Sequence, residues 1–290
     1  MNPSLLANTK IVMVGTTHSG NIGAAARAMK NMGIGQLVLV SPQASIDEEA
    51  IQRSSRADEI LHNATIVSTL EEAVQDAGLV VGTSARSRHI PWPLMSPRQC
   101  ATKAKEVARH GEVAIVFGRE SSGLTNEELQ LCHAHVHIPT DESFSSLNVS
   151  QAVQVICYEL RLAALEDDQK AEQAAEQQIG QHNDQGEERQ GESQSEQNNA
   201  VSWGVDWDYP MATHGEVNGM LQHFEETLIR IGFLDPNTPK QLMPRVRRLF
   251  QRAMPDKLEI NILRGMLASV NKLAAKTDAI KAPSSDSKDL

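Results

Sequence analysis

Three stretches of this chain collect chemically capable residues where an apolar strand gives way to a helix. In "AIVFGRESSGLTNEEL" (114–129) the strand stops at Gly118, and Arg119, Glu120, Ser121 and Ser122 precede Gly123 and a helix. A turn of this kind brings backbone N–H groups up to a ligand. A phosphate cradle carries Lys-Ser or Lys-Thr after its last glycine, whereas Leu124-Thr125 follows here. In "VGTTHSGNIGAAARAMKNMG" (14–33), Gly15-x4-Gly20 misses the same pattern because Asn21 stands where lysine is required. The dinucleotide spacing fails too, since Gly20 is followed by Gly23. Arg27 has two readings: a charge on the solvated side of a helix, or a group that Ala24-Ala25-Ala26 lets another backbone or subunit approach closely. In "SFSSLNVSQAVQVICYEL" (143–160), Ser145, Ser146 and Asn148 sit at a helix entry, where such residues are common caps.

Other candidates are weaker. His133, His135 and His137 alternate, so on a strand they line one face. Successive positions along one straight strand converge poorly on a tetrahedral ion, and we assign no metal. Cys100, Cys132 and Cys157 are far apart, odd in number and without a Cys-x-x-Cys, which argues against a disulfide framework and suits a reducing cytoplasm. "MNPSLLANTK" lacks the basic-then-apolar pattern of a signal peptide.

The elements that must position these residues follow from hydrophobic patterning. Runs at 10–15, 36–40, 78–84, 113–118 and 135–139 read as strands, with helical spacing such as Ile22, Ala25, Ala26, Met29 between them. Apolar strands alternating with helices predict an α/β fold, a parallel sheet with helices on both faces. Ligands in such a fold belong at the carboxyl ends of the strands. Residues 203–276 read as a small all-helical unit. One stripe is Val217, Leu221, Phe224, Leu228 and Ile231; another is Leu258, Ile262, Met266, Val270 and Leu273. Pro244 should start or kink a helix between them.

Charge divides the chain in the same way. The net charge is −10, but residues 166–200 hold ten acidic and two basic side chains, a net of −8. That Glu/Gln/Ser-rich stretch cannot bury enough apolar surface to offset its ordering entropy, so 166–202 is expected to be a disordered linker. The neighbouring helix, starting near Val149, is expected to run a turn or two into it. The predicted division is 1–165, the linker, 203–276 and a polar tail at 277–290. Between 236 and 276, nine Lys or Arg face only Asp256 and Glu259, an electrostatic footprint for a polyanion.

Taken together, "NIGAAARAMKNMG", "VFGRESSGLTNEEL" and "IPTDESFSSLNVSQAVQV" resemble, in order and spacing, the three motifs of the SpoU (TrmH-like) branch of the SPOUT RNA methyltransferases. The resemblance covers residues 8–165. "VVGTSARSRHIPWP" (80–93) and "LFQRAMPDKLEINILRGMLASV" (249–270) look like a subgroup that methylates the ribose 2′-oxygen of tRNA nucleotide 32, in the anticodon loop. The family implies a C-terminal trefoil knot that binds S-adenosylmethionine, a cofactor without a phosphate, which accounts for the missing lysine. It places Thr83, Ser84 and Ala85 on one wall of the pocket and Gly118 on the second. Ile138, Ser145, Ser146 and Leu147 form the third. One departure is Thr140-Asp141-Glu142, where many relatives have a glycine-containing turn.

The resemblance also implies the reaction. Arg27 would act on the ribose hydroxyl, as base or as a clamp on the substrate's phosphate while water accepts the proton. Asn21 and Glu120 would orient Arg27 and the ribose, and Ser146 and Asn148 would hold the hydroxyl and the cofactor loop. The arginine and the cofactor come from opposite protomers, implying a homodimer. Arg86 and Arg88 would meet RNA near the site; Arg247, Arg248, Arg252 and Arg264 would grip the tRNA body. Alternatives are the same chemistry on ribosomal RNA and a non-catalytic RNA-binding scaffold.

Overall fold

The computed structural model describes residues 3–84, 92–141, 143–144, 146–180 and 209–281, with side chains at 3–4, 167–180 and 277–281 left aside. Seven strands form one sheet: β1 (Thr9–Val14), β2 (Gln36–Val40), β3 (Thr65–Val67), β4 (Ala77–Thr83), β5 (Leu94–Met95), β6 (Glu112–Phe117) and β7 (Ala134–Val136). Their order is β3-β2-β1-β6-β4-β7-β5, and every pairing is parallel. The period-2 alternation of each central strand feeds two cores. Ile11, Met13, Leu79, Val81, Ile115 and Phe117 face one layer, while Val12, Val14, Val80, Ala114 and Val116 face the other.

The first layer packs against α1 (Pro3–Ala7), α2 (Ser19–Met32), α3 (Glu48–Ser54), α4 (Asp58–His62), α6 (Pro97–Val107) and α8 (Val149–Gly180). The second packs against α5 (Leu70–Val74) and α7 (Asn126–Gln130). Helix starts carry their own signals: Thr69, Ser96 and Thr125 each close a capping box. Gly33 ends α2 in the left-handed conformation, where its N–H and that of Ile34 pick up the last carbonyls. No helix among the described residues is long and apolar enough to cross a membrane.

Four differences from the sequence reading have physical causes. β3 is a three-residue edge strand with Ile66 61% exposed, too short and too open for patterning to mark. β5 has two residues. The run at 135–139 pairs only as far as Val136, because His137 and Ile138 leave the sheet to wall a cleft. α8 continues to Gly180, about four turns into the stretch expected to be linker, where one or two had been expected.

The helical unit comprises α9 (His214–Arg230), α10 (Leu242–Ala253) and α11 (Lys257–Lys281). Pro244 lies in the first turn of α10, where its missing N–H costs nothing. Val217, Met220 and Leu221 of α9 meet Ile260 and Leu267 of α11, with Phe224 and Leu263 at the edge. The predicted α11 stripe is therefore on the wrong face: Leu258, Ile262, Met266, Val270 and Leu273 are exposed. Helix α11 is apolar on two sides, and long-range anchors select between them. Met211 bridges Asp256 at its start, and Asn271 Nδ2 donates to Thr227 Oγ1 (2.9 Å) further along.

This unit docks on the sheet. Gly215 N–H donates to the Gln75 carbonyl (2.9 Å), and Gln251 Nε2 donates to the Gln130 carbonyl (2.9 Å). The buried imidazoles of His133 and His214 meet edge to face with centroids 6.0 Å apart.

Candidate active site

The sheet order places β6, β4 and β7 side by side, so the loops leaving their carboxyl ends meet. Between those loops and the start of α8 lies a cleft of about 460 Å³. Thr83 and Ser84 form one wall, Gly118 to Leu124 the second, and Ile138, Thr140, Ser146 and Leu147 the third. Hydrogen bonds stitch the walls together. Ser84 N–H donates to the Val136 carbonyl (3.0 Å), Thr83 Oγ1 donates to the Val116 carbonyl (3.1 Å), and His137 Nδ1 lies 3.2 Å from the Ser84 carbonyl.

Gly118 is where the second wall turns back on itself. A Cβ there would lie 2.1 Å from the Gly123 carbonyl carbon and 2.2 Å from the Leu124 nitrogen, so no side chain fits. The turn is closed by two backbone bonds, Arg119 N–H to the Gly123 carbonyl (3.2 Å) and Gly123 N–H to the Arg119 carbonyl (2.8 Å).

At the rim the three polar stretches join through one chain of hydrogen bonds. Glu120 accepts from Asn21 Nδ2 (3.0 Å), from Thr17 Oγ1 (3.0 Å) and from Thr17 N–H (3.2 Å). Partial burial alone would raise the Glu120 pKa, but these bonds together with its own backbone N–H outweigh it and hold the carboxyl below its usual range. Asn21 Oδ1 in turn accepts from Asn148 Nδ2 (3.1 Å). Asn148 is also a helix cap, its Oδ1 accepting from Ser150 N–H (2.9 Å) and Ser150 Oγ (2.7 Å). One end of the Asn148 amide thus caps the helix while the other bonds Asn21.

Arg27 lies elsewhere. It is exposed on α2, about 9 Å along the helix axis from Asn21, and does not line the cleft of its own chain. It forms no hydrogen bond or ion pair among the described residues. Ala25 and Ala26 beside it are fully buried within the same chain. Ala85, Arg86, Arg88 and Ser145 lie outside the described residues. Of the distal arginines, Arg252 and Arg264 are exposed, and Arg248 is half-buried. Arg247 is half-buried against α9, donating from Nη1 to Asn218 Oδ1 (2.8 Å).

His133 and His135 serve the framework, and His137 lines the cleft. His133 Nδ1 accepts from Val80 N–H (2.9 Å), and burial pushes its pKa down to about 4. His135 stacks on Trp92 and meets the Leu129 carbonyl through Nε2 (3.1 Å). Burial pushes the Cys100 and Cys157 thiols up to about 12, so neither suits nucleophilic work at neutral pH. At the departure noted in the third stretch, Asp141 closes the turn with its side chain, accepting from Ser143 N–H (2.9 Å) and Ser143 Oγ. Sequence reading missed Thr17 and the Arg119–Glu128 pair; the local signal was the polar character of the turns holding them.

The cleft sits at the carboxyl ends of a parallel sheet, and the chain belongs to a family of RNA-modifying enzymes, the SpoU methylase family. The model of the SpoU rRNA Methylase family matches residues 8–158, and that of the tRNA methyltransferase TrmJ C-terminal domain matches residues 215–279. Within the family its relatives include TrmJ tRNA 2′-O-methyltransferases. It is 48% identical over 271 residues to tRNA (cytidine/uridine/adenosine-2′-O-)-methyltransferase TrmJ of Pseudomonas aeruginosa (strain UCBPP-PA14), covering 93% of this chain and 96% of that one. Identity with tRNA (cytidine/uridine-2′-O-)-methyltransferase TrmJ of Klebsiella pneumoniae subsp. pneumoniae is 44% over 268 residues, 92% and 98% of the two chains. Among solved structures, TrmJ from Z. mobilis ZM4 has a TM-score of 0.71 at 28% identity, covering 91% of this chain and 100% of its own. A probable methylase family protein from Haemophilus influenzae Rd KW20 has a TM-score of 0.54 at 41% identity, over 94% and 99%.

Proposed function

We propose that this chain transfers a methyl group from S-adenosylmethionine to the ribose 2′-oxygen of nucleotide 32, cytidine or uridine, in the tRNA anticodon loop. The observation that carries the reading is the bond chain Asn148–Asn21–Glu120, which ties all three polar stretches to the rim of one cleft. tRNA is favoured over ribosomal RNA by the match of residues 215–279 to the TrmJ C-terminal domain.

The cleft suits the cofactor. Its volume is within the usual range for small-molecule sites, and it offers backbone at Gly118 and apolar side chains from Leu124, Ile138 and Leu147. When bound, S-adenosylmethionine supplies a methyl group that is already strongly electrophilic. The remaining work is to position a weakly nucleophilic hydroxyl and take its proton. Glu120 holds Asn21 and Thr17 in place, and Ser146, beside Leu147, offers a hydroxyl to the ribose. An arginine is ordinarily always protonated, so we assign Arg27 to clamping the substrate's phosphate and polarising the hydroxyl, with water accepting the proton.

The exposure of Arg27 away from its own cleft supports a homodimer in which each arginine serves the partner's cleft. The same reading divides the chain into a catalytic unit (1–165) with a trefoil knot, a tether reaching to 202, a basic tRNA-gripping unit (203–276) and a tail, and places it in the cytoplasm. Exposed Arg252 and Arg264, with Arg86, Arg88 and Arg248, meet phosphates, giving salt-sensitive binding; Arg247 braces the unit and contributes charge. The test is methyl transfer to tRNA transcripts carrying either ribose or deoxyribose at nucleotide 32. Transfer should vanish on the deoxy transcript; undiminished transfer would remove the assignment.

A further inference from the structure

Arg119 is the neighbour of Glu120 but reaches in another direction. Its guanidinium donates from Nη1 to Glu128 Oε2 (2.9 Å) and from Nη2 to Glu128 Oε1 (3.0 Å), a fork on a carboxylate. Glu128 is part of the α7 cap, accepting from Thr125 N–H through Oε2 (2.7 Å) while its own N–H donates to Thr125 Oγ1 (3.2 Å). The pair is mostly withdrawn from solvent, with side chains 34% and 16% exposed.

The same arginine also lies over the β1–α2 turn. A Cβ on Gly15 would meet Arg119 Nε at 2.9 Å and Cγ at 3.0 Å, and Gly15 has φ +60°, a conformation L side chains rarely adopt. Gly15 leads through Thr16 to Thr17, which binds Glu120. One side chain thus connects the end of β1, the turn at 118–123 and the first turn of α7. Its backbone closes that turn against Gly123.

We propose that Arg119 and Glu128 form a positioning clamp that holds the 118–123 wall in its cofactor-binding shape and so sets cofactor affinity. The proposal rests on the reading that this wall holds S-adenosylmethionine. A lysine in place of Arg119 keeps the charge but cannot make two parallel bonds. The clamp therefore predicts a separation of binding from turnover, which simple destabilisation of the fold would not produce.

The experiment uses the full chain with Arg119→Lys, Glu128→Gln, Gly15→Ala and the double variant Arg119→Lys/Glu128→Gln. S-adenosylhomocysteine Kd is measured by calorimetry, alongside KM for S-adenosylmethionine, kcat on tRNA and the thermal midpoint. We expect Kd and KM to rise about tenfold in Arg119→Lys and Glu128→Gln, with kcat at saturating cofactor within about twofold of wild type. The double variant should be no worse than the poorer single one, since both remove the same clamp. Gly15→Ala should give the same signature by displacing the guanidinium. Unchanged Kd in both single variants, loss of kcat with Kd intact, or fully additive losses in the double variant would overturn the clamp. Failure of the underlying cofactor reading would show separately, as absence of binding by the wild-type protein.

Discussion

Replacing Gly118 by alanine tests the second wall at its tightest point. The added Cβ would sit 2.1 Å from the Gly123 carbonyl carbon, where ordinary contact begins at 3.4 Å, so the backbone must retreat by about 1.3 Å. The obstacle is backbone on both sides, at Gly123 and Leu124, and no rotamer change relieves it. A displacement of that size breaks the two backbone bonds between Arg119 and Gly123. At about 0.5–1.5 kcal/mol each, their loss removes roughly 1–3 kcal/mol from the closed turn. If only the closed turn binds cofactor, the penalty appears as a rise in Kd of roughly 5- to 150-fold. Isothermal calorimetry with S-adenosylhomocysteine measures it directly, and circular dichroism checks that the sheet is intact. A Kd within twofold of wild type would refute the reasoning, because it would show that the cofactor does not depend on the turn's shape.

Other predictions probe the rim, the exposed arginine and the docked helices. Glu120→Gln replaces an acceptor-only group, facing Asn21 and Thr17 donors, with one that is half donor; losing a charged hydrogen bond should lower kcat/KM for tRNA by roughly 10- to 150-fold, and unchanged kinetics would remove Glu120 from the site. Arg27→Ala should lose turnover while binding S-adenosylhomocysteine normally. Mixed one to one with Gly118→Ala chains, it should recover about a quarter of wild-type activity, since half of the mixed dimers' sites are intact; no recovery would contradict a shared site. Docking of α9 should weaken in acid. Burial pushes His133 down to about 4, and burial, His133 and nearby Arg247 push His214 down to about 3, both from 6.5. The undocked histidines bind protons first, so their contribution is complete above pH 6.5 and declines as pH falls from there towards 4. Hydrogen exchange of the α9 amides should accelerate over that interval, and His214→Leu should flatten the response; pH-independent protection would contradict it.

The parts of the fold that were legible share one property: their signal is local. Ile11 and Val12 alternate between two cores, so β1 announces a doubly covered strand within six residues. Asn21, Glu120 and Asn148 could be listed from three separate turns, but the bonds between them span 99 and 127 residues along the chain. Their meeting depends on a strand order in which β6 inserts between β1 and β4. No periodicity encodes that order. Arg119 and Glu128 looked like ordinary turn and helix polarity, since nothing nine residues apart marks a fork. Helix α11 failed for the opposite reason: two apolar faces were equally visible, and only anchors at Met211 and Thr227 decide which is buried.

The most direct test of the function is mass spectrometry of nuclease-digested tRNA after incubation with the purified full-length chain and S-adenosylmethionine. The account predicts one added methyl group, on the ribose of nucleotide 32 and nowhere else in the anticodon loop. A methyl on a base, a methyl at another ribose with nucleotide 32 unmodified, or no added mass would contradict it.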